Sequence, residues 1–441
     1  MFKTLANAFK VKEIRSKLLF TLLMLVVIRV GSLIPIPGVN KGVLTSVFSG
    51  GEFDWMNAAT GGAISNASIF ALSISPYITS SIIMQLLTIA IPQLEEMQKD
   101  GEDGKKKIAT LTRYVTVILA LIQSIAMVIG FGNQGLIVGY GAMSVGEKIF
   151  ASALMVAVLV AGSTILMWLG ERITERGVGN GISVILVINI ISTMPKDFIS
   201  LYELFIKDKG VLKATIAIVA IAAIIIGMVV FTIILSGGER RIPVQYSKKI
   251  QGRKTYGGNS SHIPVKVNTA GVIPVIFAQS LLSVPMIIAS FAKVDYKTVG
   301  GKILLGLQSS NWFNKDDMIY TLGVIVYIAL IIFFAYFYTS ITFNPVEIAN
   351  NMKKSGGFIP GIRPGKPTAE YLEKVVSKMI VIGAVGLIIL ALIPIVCSGL
   401  FNANVSFGGT SIIIIVGVII ETIRQIESQL VVRDYKGFLN D

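Results

Sequence analysis

Ten apolar stretches divide this chain, at 18–34, 69–91, 114–131, 149–169, 182–194, 214–235, 271–291, 318–340, 379–397 and 410–423. A helix of roughly 17 to 25 apolar residues reaches across the hydrocarbon of a bilayer. So many stretches in 441 residues leave no room for a soluble fold. Composition agrees: 15% of the residues are charged, where a soluble domain carries about a quarter. The chain reads as an all-α polytopic membrane protein with ten transmembrane helices. The fifth and tenth stretches look too short to cross alone, and glycines introduce both (GVGNGIS and FGGTS).

The second stretch differs from the rest. Residues 58–87 read AATGGAISNASIFALSISPYITSSIIMQLL, entering through Gly61, Gly62, Ser65 and Asn66 and carrying Pro76, Tyr77, Thr79, Ser80 and Ser81. A helix facing lipid has no use for this polarity. Irregular backbone survives in hydrocarbon where it is buried in protein or lines a watery cavity, so the segment reads as the wall and lid of a path. The seventh stretch, NTAGVIPVIFAQSLLSVP, is interrupted in the same way five spans later. The short fifth and tenth stretches are also five apart. Matched irregular helices indicate two five-helix halves of inverted topology, 1–211 and 212–441, around a central pore.

Loop charges set the orientation. With the N-terminus inside, about 28 Lys and Arg fall on the cytoplasmic side against about 10 outside. Nearly all of the +14 net charge then lies inside, with both termini cytoplasmic. The basic N-terminal segment MFKTLANAFKVKEIRSK leads into a full span without a small-residue cleavage site, so it reads as a retained amphipathic segment. Arg29, near the outer end of the first span, is expected to snorkel to the interface.

Two cytoplasmic loops stand out. The first, 236–266, carries Arg240, Arg241, Lys248, Lys249, Arg253 and Lys254; the second, 339–371, carries FIPGIRPG around Arg363. Loops of about thirty residues with their own Gly and Pro pattern are usually functional or disordered. Holding topology or touching anionic lipid requires charge alone. A turn shaped around one arginine points instead to a docked protein.

Several chemistries are missing. By these spans no Asp or Glu lies inside a helix before Glu421, and His262 sits in a loop. The single Cys397 excludes an intramolecular disulfide. No paired aspartates, serine with a base, HExxH or Walker A pattern can be assembled, so no catalytic, metal or cofactor site is expected. Coupled carriers place ionisable groups on their path, and none is offered here. What remains is a passive conduit with a neutral aliphatic middle, which gates by excluding water. A secondary transporter or uniporter for a small neutral solute shares the inverted repeats and stands as the alternative. An assembly scaffold would explain the loops but not the matched broken helices.

The motifs together resemble one family, the SecY/Sec61 alpha protein-translocation channels, in their bacterial form. The resemblance runs through the chain in order: RVGSLIPIPGV from Arg29, SIFALSISPYITSSIIMQLL from Ser68, GERITERGVGNGIS from Gly170 and GERRIPVQYSKK from Gly238. It continues with NTAGVIPVIFAQS from Asn268, GGFIPGIRPGKPTAEYL from Gly356 and FGGTSIIIIVGV from Phe407.

The resemblance implies a protein-conducting channel of the plasma membrane that passes unfolded chains outward and releases apolar helices sideways. It implies a plug at about 56–67, containing Gly61, Gly62, Ser65 and Asn66, and a pore ring of Ile74, Ile78, Leu186, Ile276 and Ile414. A lateral gate would carry Ser80, Ser81 and Gln85 on one side and Asn268, Gln279 and Ser280 on the other. The implied partners are the small subunits SecE and SecG, the SecA motor ATPase, the ribosome, signal sequences and nascent polypeptides. The basic residues of both loops would serve docking. The plug is expected to be held by small-residue packing rather than a deep apolar anchor. Gln85 and Asn268 are expected to lock the gate by a hydrogen bond.

Overall fold

A computed structural model describes residues 8–48, 57, 59–132, 135–207, 209–246, 249–251, 254–256, 260–292, 298–308, 311–313, 318–401 and 409–437. The helices of the first half are α1 (Lys12–Leu33), α2 (Lys41–Phe48), α3 (Ser75–Ala90), α4 (Pro92–Lys99), α5 (Glu102–Gly132), α6 (Val145–Arg176) and α7 (Gly181–Phe205). The second half opens with α8 (Val211–Gly237), followed by strands β1 (Glu239–Tyr246), β2 (Lys249–Gln251), β3 (Lys254–Tyr256) and β4 (Ser260–Lys266). Then come α9 (Ile273–Ala292), α10 (Val299–Leu307), α11 (Leu322–Thr342), α12 (Pro345–Lys354), β5 (Gly357–Phe358), α13 (Lys366–Phe401) and α14 (Gly409–Gly437).

The helices wear their apolar residues outward. On α1, Leu22, Leu23, Val26 and Val30 are exposed, while Thr21, Ile28, Gly31 and Ser32 are buried. A bilayer supplies an apolar surrounding for such a face, so small and polar residues can turn inward to neighbouring helices. Among the described residues, seven helices are long and apolar enough to cross a membrane. An eighth candidate is the pair α3–α4, bent by 100° where Pro92 opens the second piece. The protein is a multi-pass membrane protein.

All ten apolar stretches fall on helices, on α1, α3, α5, α6, α7, α8, α9, α11, α13 and α14. Their boundaries differ from expectation in informative places. The helix of the second stretch begins at Ser75, with Pro76 in its first turn; residues 61–74 form buried turns. The fifth stretch is not short, because α7 runs 25 residues through Pro195 to Phe205. It starts at Asn180, whose side chain accepts from the Ile182 and Ser183 N–H groups, an N-cap that satisfies orphan donors. This longer helix also encloses the buried Asp197, which corrects the expectation that no acid precedes Glu421 inside a helix.

Packing repeats itself across the two halves. Within the first, α3 packs on α5, α5 on α6, α6 on α7, and α1 on both α6 and α7. Within the second, α9 packs on α11, α11 on α13, α13 on α14, and α8 on both α13 and α14. Each pairing has its counterpart in the other half. Contacts of α5 with α9 and of α7 with α14 join the halves.

The two large loops, separate in the sequence, share one small sheet of order β4–β1–β5. β1 and β4 form an antiparallel hairpin, and β5, from the second loop, pairs with its other edge at Gln245↔Phe358 and Tyr246↔Gly357. Ile242 and Val244 alternate inward on β1 and pack with Val265, Met352, Ile359, Leu372 and Val376. Period-two alternation gives the sheet one apolar face, and that face seats both loops on the N-terminal part of α13.

Candidate functional site: a sealed path through the bundle

Ile74, Leu186 and Ile414 come from α3's N-cap, α7 and α14, and each is at most 3% exposed. They meet in one apolar cluster, and Ile78 of α3 and Ile276 of α9 pack against it partly buried. The structure thus brings together all five residues assigned to the ring. The five ring residues come from four helices, α3 with its N-cap, α7, α9 and α14, drawn from both halves.

Beside it lies the glycine-rich segment of the proposed plug, of which Met56 and Ala58 are outside the described residues. Gly61, Gly62 and Ser65 are buried, and Asn66 is half-buried. Gly61 and Gly62 adopt φ of 66° and 76°, where glycine is tolerated without strain. The segment folds on itself: Ser65 Oγ meets Asn57 Oδ1 at 2.7 Å, and Asn66 N donates to Gly62 O at 3.0 Å.

Two expectations about this segment are corrected. It does have an apolar anchor, since Ile64 is 4% exposed among Leu44, Leu136, Leu159 and Met127. It is also held by polar bonds from outside. Asn189 Nδ2 of α7 donates to Ala59 O at 3.1 Å, Ser192 Oγ to Gly61 O at 3.4 Å, and Thr45 Oγ1 to Ser65 O at 3.0 Å. Arg29 does not snorkel outward: its Nη1 donates to Gly61 O at 3.4 Å. A main-chain carbonyl removed from water needs such donors. Sequence reasoning missed Arg29, Asn189 and Ser192 as plug contacts. The available signal was Asn189 itself, an amide in the apolar run VILVINIIS.

At the proposed lateral gate, Ile78, Ile82 and Leu86 of α3 belong to the same apolar cluster as Val275, Phe277 and Ala278 of α9. Ser80 is fully buried, but it faces α5, where its Oγ lies 2.5 Å from Thr116 Oγ1. Ser81 and Ser280 are half-buried. Asn268 is buried where Gly383 of α13 allows close approach of the main chain.

The expected Gln85–Asn268 bond is not formed. Gln85 Oε1 and Gln279 Oε1 are both buried with no hydrogen-bond partner among the described residues. An orphaned buried acceptor costs about 1–3 kcal/mol, so the sign of the expectation reverses. Replacing Gln85 with Leu should strengthen the closed gate and make weak signal sequences less effective, read as export of a weak-signal reporter. Improved export of that reporter would restore the polar lock.

On the loop sheet, Arg240 and Arg241 are exposed. Arg241 Nη2 pairs with Glu239 at 2.7 Å, and this hydrogen bond holds the Glu239 carboxyl below its usual range. Lys249 and Lys254 lie on β2 and β3, whereas Lys248 and Arg253 fall outside the described residues. Arg363 is exposed between Gly361 (φ 81°) and Gly365 (φ 103°). Its carbonyl accepts from the buried Thr368 Oγ1 at 2.8 Å, which fixes the turn while leaving the guanidinium outward.

The SecY family model matches residues 68–423. That span covers most of the chain. The chain belongs to the SecY family. It is 46% identical to the protein translocase subunit SecY of Streptomyces galbus and 41% identical to that of Bacillus subtilis, each over 100% of both chains. Its fold is similar to a solved protein conducting channel, with a TM-score of 0.62, 18% identity, and coverage of 95% of this chain and 93% of that one. It is also similar to Sec61 in the canine ribosome-channel complex from the endoplasmic reticulum, with a TM-score of 0.60, 18% identity, and the same coverage of each chain.

Proposed function

We propose that this chain is the channel subunit of a protein translocase, passing unfolded polypeptide across the membrane and releasing apolar helices sideways between α3 and α9. The observation that carries this is the meeting of Ile74, Ile78, Leu186, Ile276 and Ile414 beside a buried, hydrogen-bonded segment. A neutral aliphatic constriction holds no fixed ion, so chains of any charge can pass, and it excludes water when empty. The matched packing supports two halves, 1–211 and 212–441, of opposite topology. Binding of a signal sequence to the apolar side chains of α3 and α9 favours the open state through differential affinity. The mechanism is gated passage and requires no covalent step.

On this reading both termini are cytoplasmic, which the bias of Lys and Arg toward one side supports, and the membrane is a bacterial plasma membrane, which the bacterial relatives support. SecE and SecG are the companion subunits on this reading, and the loop sheet is the docking platform for the SecA motor and the ribosome. Its basic rim also suits anionic lipid. The direct test arrests a secretory chain in transit and crosslinks it to single cysteines placed at 78, 186 and 276. Crosslinks at all three support the path; a small-solute carrier would give none and would bind neither ribosome nor motor.

Arg363 separates docking from mere charge. A rigid turn presents one planar guanidinium, which suits a bidentate contact. Arg363→Lys should therefore impair motor-driven export into vesicles nearly as much as Arg363→Glu, with membrane insertion normal. Wild-type export by the Lys variant would reduce Arg363 to a positive charge.

A further inference from the structure

Asn189 is 1% exposed and lies one turn beyond Leu186 on α7. Its Nδ2 carries two protons, and both are committed, to different elements. One goes to Ala59 O in the plug segment and the other to Ser73 Oγ, each at 3.1 Å. Ser73 sits two residues before α3, in a left-handed conformation with φ 50°. A non-glycine residue keeps that conformation where its surroundings over-determine it, and here α6 contributes through Ser163 Oγ, which donates to Ser73 O at 3.2 Å. Asn189 Oδ1 is buried without a partner among the described residues. The side chain is thus oriented by its donors alone, one toward the plug and one toward the root of the gate helix.

We propose, on the channel reading above, that Asn189 is a latch coupling the plug to the lateral gate. When α3 tilts to admit a signal sequence, Ser73 moves away from α7 and the amide loses the bond that orients it. The bond to Ala59 then weakens, and the plug is freed. Coupling of this kind is reciprocal: a plug that leaves also loosens the root of α3. Asn189 is a positioning residue here, acting through two neighbours and touching no substrate in the closed state. Because its plug partner is a main-chain carbonyl, the latch is indifferent to the side chains of the plug.

The test uses the chain reconstituted into planar bilayers with the subunits that copurify with it. Conductance is read at rest and with increasing synthetic signal peptide. Asn189→Leu conserves volume and removes both donors. It should raise resting conductance about fivefold and lower the peptide concentration for half-opening by a similar factor. Ser73→Ala touches the gate side alone, yet it should also raise resting conductance, and the double variant should leak no more than Asn189→Leu. Ser163→Ala removes the bond to Ser73 O but no latch bond, so its effect should add to that of Asn189→Leu. Wild-type leak in Ser73→Ala, or additive effects of the Ser73 and Asn189 changes, would overturn the latch while leaving the channel reading intact. Absence of peptide-triggered conductance in the wild type would overturn both.

Discussion

Replacing Ile276 or Ile78 with serine is expected to make the resting protein conduct ions, with planar-bilayer current at least about tenfold above wild type. A dry aliphatic constriction is closed because water does not fill it, and a hydroxyl with a smaller side chain removes both the dryness and the bulk. These two positions serve best because they are partly buried where they pack against the cluster. Ile414, at 2% exposure, is less clean, since truncating so buried an aliphatic residue costs about 2–5 kcal/mol of stability. Its variant would mix leak with unfolding. Wild-type resting current for both Ile276→Ser and Ile78→Ser would place the constriction elsewhere.

A large stability effect is expected at Gly162 on α6. A Cβ there would lie 1.9 Å from the carbonyl oxygen of Ile69 and 3.3 Å from the Phe70 ring. On the opposite side, a Cβ at Gly31 of α1 would lie 2.1 Å from the same ring. The two glycines form a slot between α1 and α6 that seats residues 69 and 70, the main chain leading into the ring. At Gly162 no side-chain rotation can relieve the clash, because the nearest obstacle is the Ile69 backbone. Gly162→Ala should therefore destabilise the protein by about 1–3 kcal/mol or more, seen as a lower midpoint of thermal unfolding in detergent. Gly146→Ala has open space around its Cβ and should leave the midpoint unchanged. Equal midpoints for both variants would mean that the α1–α6 slot has slack.

Much of the architecture was legible from residue order alone. So many apolar stretches, most of them near the length of a bilayer span, allow few folds, and each of the ten carries a helix. Polar punctuation in the second and seventh stretches marked α3 and α9, because polarity in hydrocarbon requires protein or water around it. The five aliphatic residues of the ring were named from motif resemblance, and they do share one cluster. Helix ends were less legible. α7 passes through Pro195, a residue that ordinarily ends a helical reading, so a full span looked like a short one.

What the sequence by itself determined is therefore class, span placement and the irregular entry to the path, since each follows from local hydropathy and backbone preference. Tertiary structure alone decided which polar groups find partners. Arg29 turns inward to Gly61 O rather than outward to lipid headgroups, and Ser80 pairs with Thr116 rather than across the gate. Gln85 is left without the partner expected for it, and two loops about a hundred residues apart at their centres close into one sheet through β1 and β5. Each outcome depends on distances between elements far apart in the chain, and hydrogen bonds act over about 3 Å. Hydropathy is read along a helix and carries no such distances, so it could place the helices without saying which of their polar groups would meet.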